Sequence, residues 1–337
     1  MLDIVIIFLS VSLLLYMILG GADFGAGIIE LFAGKRFKDA ERAVISGAIG
    51  PVWEANHMWL IIVVVILFMG FPRVYTDMSI YLHIPLTLTL MGIIARGTAF
   101  TFRHYDAIKD ESQEVYSFIF KFSSLWTAFF LGVLTGAMAL GKINPEAAGF
   151  YDGYIAPWLN IFCVSTGIFA CCVFAFLASV FLIGETTDVK MKDVFVRVGT
   201  YANIATVISG GLVFLAGLAD GFDLFASMLD TPASIAGMIL ATLSLPVLWY
   251  ALRKEKVILS RLTAGFQASM ILISWYAINF PYILKRASGN DLSLLDTAAP
   301  PATIAVLGYA LLIGSTLIFP FLYYLFRIFK LKKSQKA

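Results

Sequence analysis

Charge is scarce in this chain. Of its 337 residues 14% are Asp, Glu, Lys or Arg and 60% are hydrophobic, whereas a soluble domain carries about 25% charged residues. With a mean hydropathy of +0.88, that balance excludes an ordinary soluble domain and makes the chain an all-α polytopic membrane protein. The net charge of +2 is too small to argue for nucleic acid, and no basic patch interleaved with aromatics occurs. Cysteine is nearly absent as well. Cys163, Cys171 and Cys172 share one apolar run, with no C-x-x-C pair or metal-ligand spacing, and read as reduced hydrophobic filler. Histidine is limited to positions 57, 83 and 104. There is no phosphate loop, nucleophile elbow or metal cluster. No basic n-region precedes the first apolar run and no small-residue cleavage site follows it, so that run reads as a retained span and not a signal peptide.

Long hydrophobic runs fill the space that charge leaves. A span takes about 20 apolar residues, and nine segments qualify, at approximately 4–33, 43–71, 76–102, 115–140, 156–183, 195–218, 233–252, 257–284 and 299–326. The first contains Gly20, Gly21 and Gly25 but no polar turn, which favours one long helix over two half-spans. The loops are too short to form a domain, so residues 1–337 read as a single integral membrane unit. Positive charge is uneven between alternate loops. One set, with the C-terminal tail, holds Lys35, Arg36, Lys38, Arg42, Arg103, Lys109, Lys190, Lys192, Arg253, Lys254, Lys256, Arg327, Lys330, Lys332, Lys333 and Lys336. The other holds Arg73, Lys142, Lys285 and Arg286. That asymmetry predicts an outside N-terminus and a cytoplasmic C-terminus.

Against this background the stretch GPVWEANHMWLI, residues 50–61, stands out. It sets Trp53, Glu54, Asn56 and His57 among apolar runs, where each polar group must find an internal partner. Asp23 lies 11 residues before Gly34, and Glu54 lies 12 after Arg42. At ~1.5 Å per residue both sit roughly 16–18 Å from the same membrane edge, so an approach between them is expected. Glu54 and His57, at i and i+3, are expected on one helix face. Such carboxylates suit a proton relay; the competing role is a polar pin between helices. Arg96, seven residues inside Arg103 on the third segment, is expected as a counter-ion. Asp220 and Asp223 read as interfacial acids, and His83 and Pro85 as structural. GGADFGAG near residue 20 and LADGFDLF near 218 form a weak internal echo. Only His57 and His83 lie within spans, and at unequal depths, so the chain is not expected to hold a haem alone.

GGADFGAG at 20–27, GPVWEANHMWLI at 50–61 and RGTAFTFRHYD at 96–106 resemble the signatures of subunit II of the cytochrome bd-type quinol oxidases. The likeness is ordered along the first third of the chain; beyond about residue 110 it is mainly hydropathy, with NFPYIL at 279–284 similar to a late Phe-Pro element. The resemblance implies a fold of two four-helix bundles plus a peripheral ninth helix. It implies a heterodimer with subunit I, which would carry haem b and haem d, oxidise quinol and reduce dioxygen, and it leaves room for a small accessory subunit. It also implies that this chain supports assembly and supplies protons, with no catalytic or metal-binding residue of its own. Residue by residue, Asp23 and Glu54 would be the relay acids, with Trp53, Asn56, His57 and Arg96 in support. Many members have Asp where this chain has Glu54. A proton-coupled transporter using Asp23 and Glu54, with helices broken at Gly25 and Pro51, is the alternative.

Overall fold

In the computed structural model the described residues are 1–32, 38–105 and 111–334. Gly34, Lys35, Arg36, Asp106, Lys109 and Lys336 therefore lie outside them. Nine helices among the described residues are long and apolar enough to cross a membrane. They run Leu2–Leu31, Trp53–Gly70, His83–Arg103, Ser112–Leu140, Ile161–Glu185, Val189–Ala219, Pro232–Arg253, Val257–Asn279 and Pro301–Phe321. The first is helical throughout, with one π turn at Tyr16–Gly20.

The second span differs from its expected start at residue 43. A separate helix, Lys38–Ile49, precedes it, and the spanning helix begins at Trp53. Pro51 lacks an N–H and pushes Gly50 out of the helical region, so the chain breaks there. The short helix buries Glu41, Ile45 and Ile49 at four-residue intervals. A second break, at Leu82, separates Pro72–Tyr81 from the third span, and a His83 ring nitrogen bonds the Ile80 carbonyl there at 2.8 Å.

Spans one to four pack as one bundle and five to eight as a second. The fifth span joins them, touching the first, fourth, sixth and eighth, and is the most buried. Gly25 explains how closely the first span approaches it: a Cβ there would strike the main-chain carbonyl of Phe174. The ninth span leans on the first two from outside. At the end of the bundles away from helix Lys38–Ile49, Asp77 pairs with Arg286, and the strands Tyr282–Leu284 and Leu292–Ser293 pair antiparallel. Asp220 there bonds Lys142 at 2.6 Å and the Phe162 amide at 2.7 Å, while Asp223 caps a short helix by accepting from the Ala226 amide at 2.9 Å. These acids close helix ends, so the internal echo with Asp23 does not extend to surroundings.

Candidate functional site

The first bundle encloses its polar residues in two layers. In the upper layer Asp23, 5% exposed, accepts a hydrogen bond from Asn56 Nδ2 at 2.8 Å. Arg96, 1% exposed, donates to the main-chain oxygen of Asp23 at 2.9 Å and to Ser124 Oγ at 3.2 Å. Its guanidinium lies over the rings of Phe24 and Phe120, at 4.9 and 5.1 Å. Burial of a charge in lipid demands such partners, and here an amide, a carbonyl, a hydroxyl and two ring faces supply them. Arg96 thus meets Asp23 at its main-chain oxygen, and among the described residues no ion pair joins its guanidinium to the Asp23 carboxylate, so the expected counter-ion contact is not made directly.

His57 stands among aromatic rings, 5.8 Å from Phe24, 6.1 Å from Tyr16 and 6.3 Å from Trp53. Trp53 in turn rests on Phe100 at 5.7 Å. The His57 Nδ1 and the Tyr16 hydroxyl are buried without a hydrogen-bond partner among the described residues.

Glu54 does not reach Asp23. It is exposed on the surface of this chain, in the first turn of the second span, and the side chain that meets Asp23 is Asn56. At 100° per residue, Trp53, Asn56 and His57 fall within about 100° of one another, while Glu54 lies roughly that far from their centre. The depth count also presumed an unbroken helix from Arg42, which the turn at Gly50–Val52 removes.

The lower layer differs from the sequence expectation, which places Arg103 in a loop. Arg103, 7% exposed, holds both carboxylate oxygens of Glu30 through one nitrogen at 2.8 and 2.9 Å. Its other terminal nitrogen donates to Ser46 Oγ at 3.1 Å, and its guanidinium sits 4.2 Å from the Phe120 ring. Glu41, 2% exposed, lies beside this pair with Oε1 unpartnered among the described residues. Burial, and secondarily the Glu30 carboxylate, raise its pKa from 4.5 to about 7. The signal was present in the numbering. Glu30 follows Asp23 by seven residues and Arg103 follows Arg96 by seven, which is two turns on the same face of each helix.

The two intramembrane histidines have separate surroundings among the described residues. His57 is caged by Tyr16, Phe24 and Trp53, whereas His83 is tied to Ile80 and meets the Tyr154 ring edge-to-face at 5.3 Å. No group of three or more His, Cys, Asp or Glu side chains converges among the described residues.

Residues 1–329 match the family model of cytochrome bd terminal oxidase subunit II. The chain is similar to cytochrome bd ubiquinol oxidase subunit 2 of Bacillus subtilis, 30% identical over 170 residues, or 49% of this chain and 48% of the relative. It is also similar to cytochrome bd-I ubiquinol oxidase subunit 2 of Escherichia coli K12, 30% identical over 94 residues, which cover 28% of this chain and 24% of that one. The chain thus spans about half the length of the first of these curated relatives, and less of the second. In fold it matches a chain of the bd oxidase from Geobacillus thermodenitrificans with a TM-score of 0.76 and 17% identity, over 97% of this chain and 98% of that one. This multi-pass membrane chain belongs to the cytochrome bd terminal oxidase subunit II family.

Proposed function

We propose that the chain is the second subunit of a respiratory terminal oxidase that oxidises quinol to quinone and reduces dioxygen to water. Each dioxygen takes four electrons and four protons to give two waters, and two quinols supply the electrons. Subunit I would carry the haems, of b and d type, because the histidines here do not form a paired ligand set. The N-terminus would lie outside and the C-terminus in the cytoplasm, following the bias of positive charge.

The observation that carries the proton-supply reading is the split between the two acids. Asp23 is enclosed, bonded to Asn56 and next to Arg96, whereas Glu54 points out of the bundle. An outward carboxylate at a helix start can take a proton from water and pass it to a neighbouring chain. The enclosed Asp23–Arg96 pair fixes the face from which Asn56, His57 and Trp53 are held. Glu54 is the relay acid in this reading, and Asp23 tunes and orders the site behind it.

The transporter alternative needs unwound helix at mid-membrane. Residues 21–31 stay helical through Gly25, and the break at Gly50–Val52 lies between a short helix and the start of a span. The test is purification followed by Glu54→Gln. The expected outcome is co-isolation of a second polytopic, haem-bearing subunit, with the variant keeping its haem absorbance but losing oxygen-reduction rate by roughly 10²-fold, the scale of one lost proton-transfer group. A colourless single-chain protein overturns the oxidase reading. Unchanged turnover and an unchanged pH profile in Glu54→Gln overturn the relay.

A further inference from the structure

A groove of about 730 Å³ lies between the first, fourth, fifth and sixth spans. Its walls are apolar, with Ile29, Phe122, Trp126, Ile168, Val198 and Tyr201 among them, and Glu41 is the one charged residue in the lining among the described residues. Phe122, Ile168 and Tyr201 are 47%, 48% and 67% exposed, so the groove opens on the outer face of the bundles. The Glu41 side chain is itself 2% exposed and its Oε1 has no partner among the described residues. A buried carboxylate oxygen without a donor is costly, and the groove is bordered by the Glu41 side chain.

Dimensions and charge select the occupant. Along the sixth span the lining runs from Val194 to Ala205, about 16 Å of helix. That is one leaflet of a hydrocarbon core about 30 Å thick. Helix Lys38–Ile49, the end of the first span and the start of the sixth belong to one end of the bundles, so Glu41 stands at headgroup level. Beside it the Glu30 carboxylate is already paired with Arg103, so the Glu41 carboxyl itself is the group that disfavours a phosphate and favours a cation at that point. Arg197, exposed one turn inside Val194 on the sixth span, places a positive charge at the same end, suited to a phosphate.

We propose that this groove binds an aminophospholipid, with an acyl chain along the apolar walls and its ammonium hydrogen-bonded to Glu41. The ammonium supplies the missing donor in a charge-assisted bond, and headgroup recognition adds to what any acyl chain would gain from the walls.

The protein, purified with whatever subunits it co-isolates with, would be delipidated and offered phosphatidylethanolamine and phosphatidylglycerol in equal amounts. Native mass spectrometry would then count bound lipid. The expected result is preferential retention of phosphatidylethanolamine, reduced roughly tenfold in Glu41→Gln, the scale of one charge-assisted hydrogen bond. Ala202→Phe, which fills the groove midway along the sixth span and leaves Glu41 intact, should lower retention of that lipid too. An unchanged far-ultraviolet helix signal and subunit stoichiometry confirm that each variant is folded. Equal retention of the two lipids by the wild-type protein overturns the proposal. So does a preference that survives in Glu41→Gln, or a quinone mass held at this groove in place of the lipid.

Discussion

Asp23 is bonded by an amide where an acid was expected, and the distinction governs what each residue contributes. Asn56→Ala removes the donor to Asp23 Oδ2 and leaves a buried oxygen unsatisfied, so it should destabilise the protein by about 1–3 kcal/mol, measurable as a lower midpoint in denaturant. Glu41 gives a pH dependence with a definite sign. Its carboxyl is raised from 4.5 to about 7, so folding favours the protonated form. The stability this provides is complete below about pH 4.5 and is lost as pH rises through about 7. Lipid-free wild-type protein should therefore melt at progressively lower temperature across that window relative to Glu41→Gln, whose curve should be flatter. The residues at 53, 56 and 57 were legible because rare polar groups in apolar runs announce themselves. Their partners were not, because the two-residue step from 54 to 56 turns the helix by about 200°, and the sequence alone does not say which of the two faces inward.

Among the elements, breaks were harder to read than spans. Hydropathy marks residues 43–71 as one run, yet Gly50–Pro51 divides it, and the separated helix Lys38–Ile49 then brings Ser46 and Glu41 to the Glu30–Arg103 pair. Arg103 reads as a loop charge because it sits at the end of its apolar run, and only the seven-residue spacing shared with Arg96 shows that it continues the same face. Arg103→Ala should cost about 3–5 kcal/mol, since it leaves the Glu30 carboxylate buried and unpaired. The double substitution Glu30→Leu with Arg103→Met should be far milder, because no charge is left behind. A double-mutant cycle read by thermal unfolding separates the two cases. Gly25 acts at the same scale: Gly25→Val would force the first span off the Phe174 carbonyl, and the expected outcome is loss of folded protein in detergent.

Across the whole molecule the number and class of helices followed from composition, because lipid permits few alternatives. The joining of two bundles through the fifth span did not, since it rests on close helix contacts that hydropathy does not encode. The orientation inferred from basic loops is open to direct measurement. Asp230→Cys and Lys254→Cys sit at opposite ends of the seventh span. A membrane-impermeant thiol reagent applied to intact cells should label the first and spare the second; the reverse pattern would invert the topology.

The two layers of the first bundle also constrain how the chain enters the membrane. Asp23 and Glu30 are spaced like Arg96 and Arg103, on spans that run in the same direction, so the pairs work as a two-notch vernier. Sliding the third helix by two turns would match one notch and strand one acid and one arginine in hydrocarbon, where each is expensive. Only one alignment satisfies both. An arginine-bearing third segment is therefore a poor solitary insert, and its residence in the bilayer depends on the first segment waiting there with its acids in register.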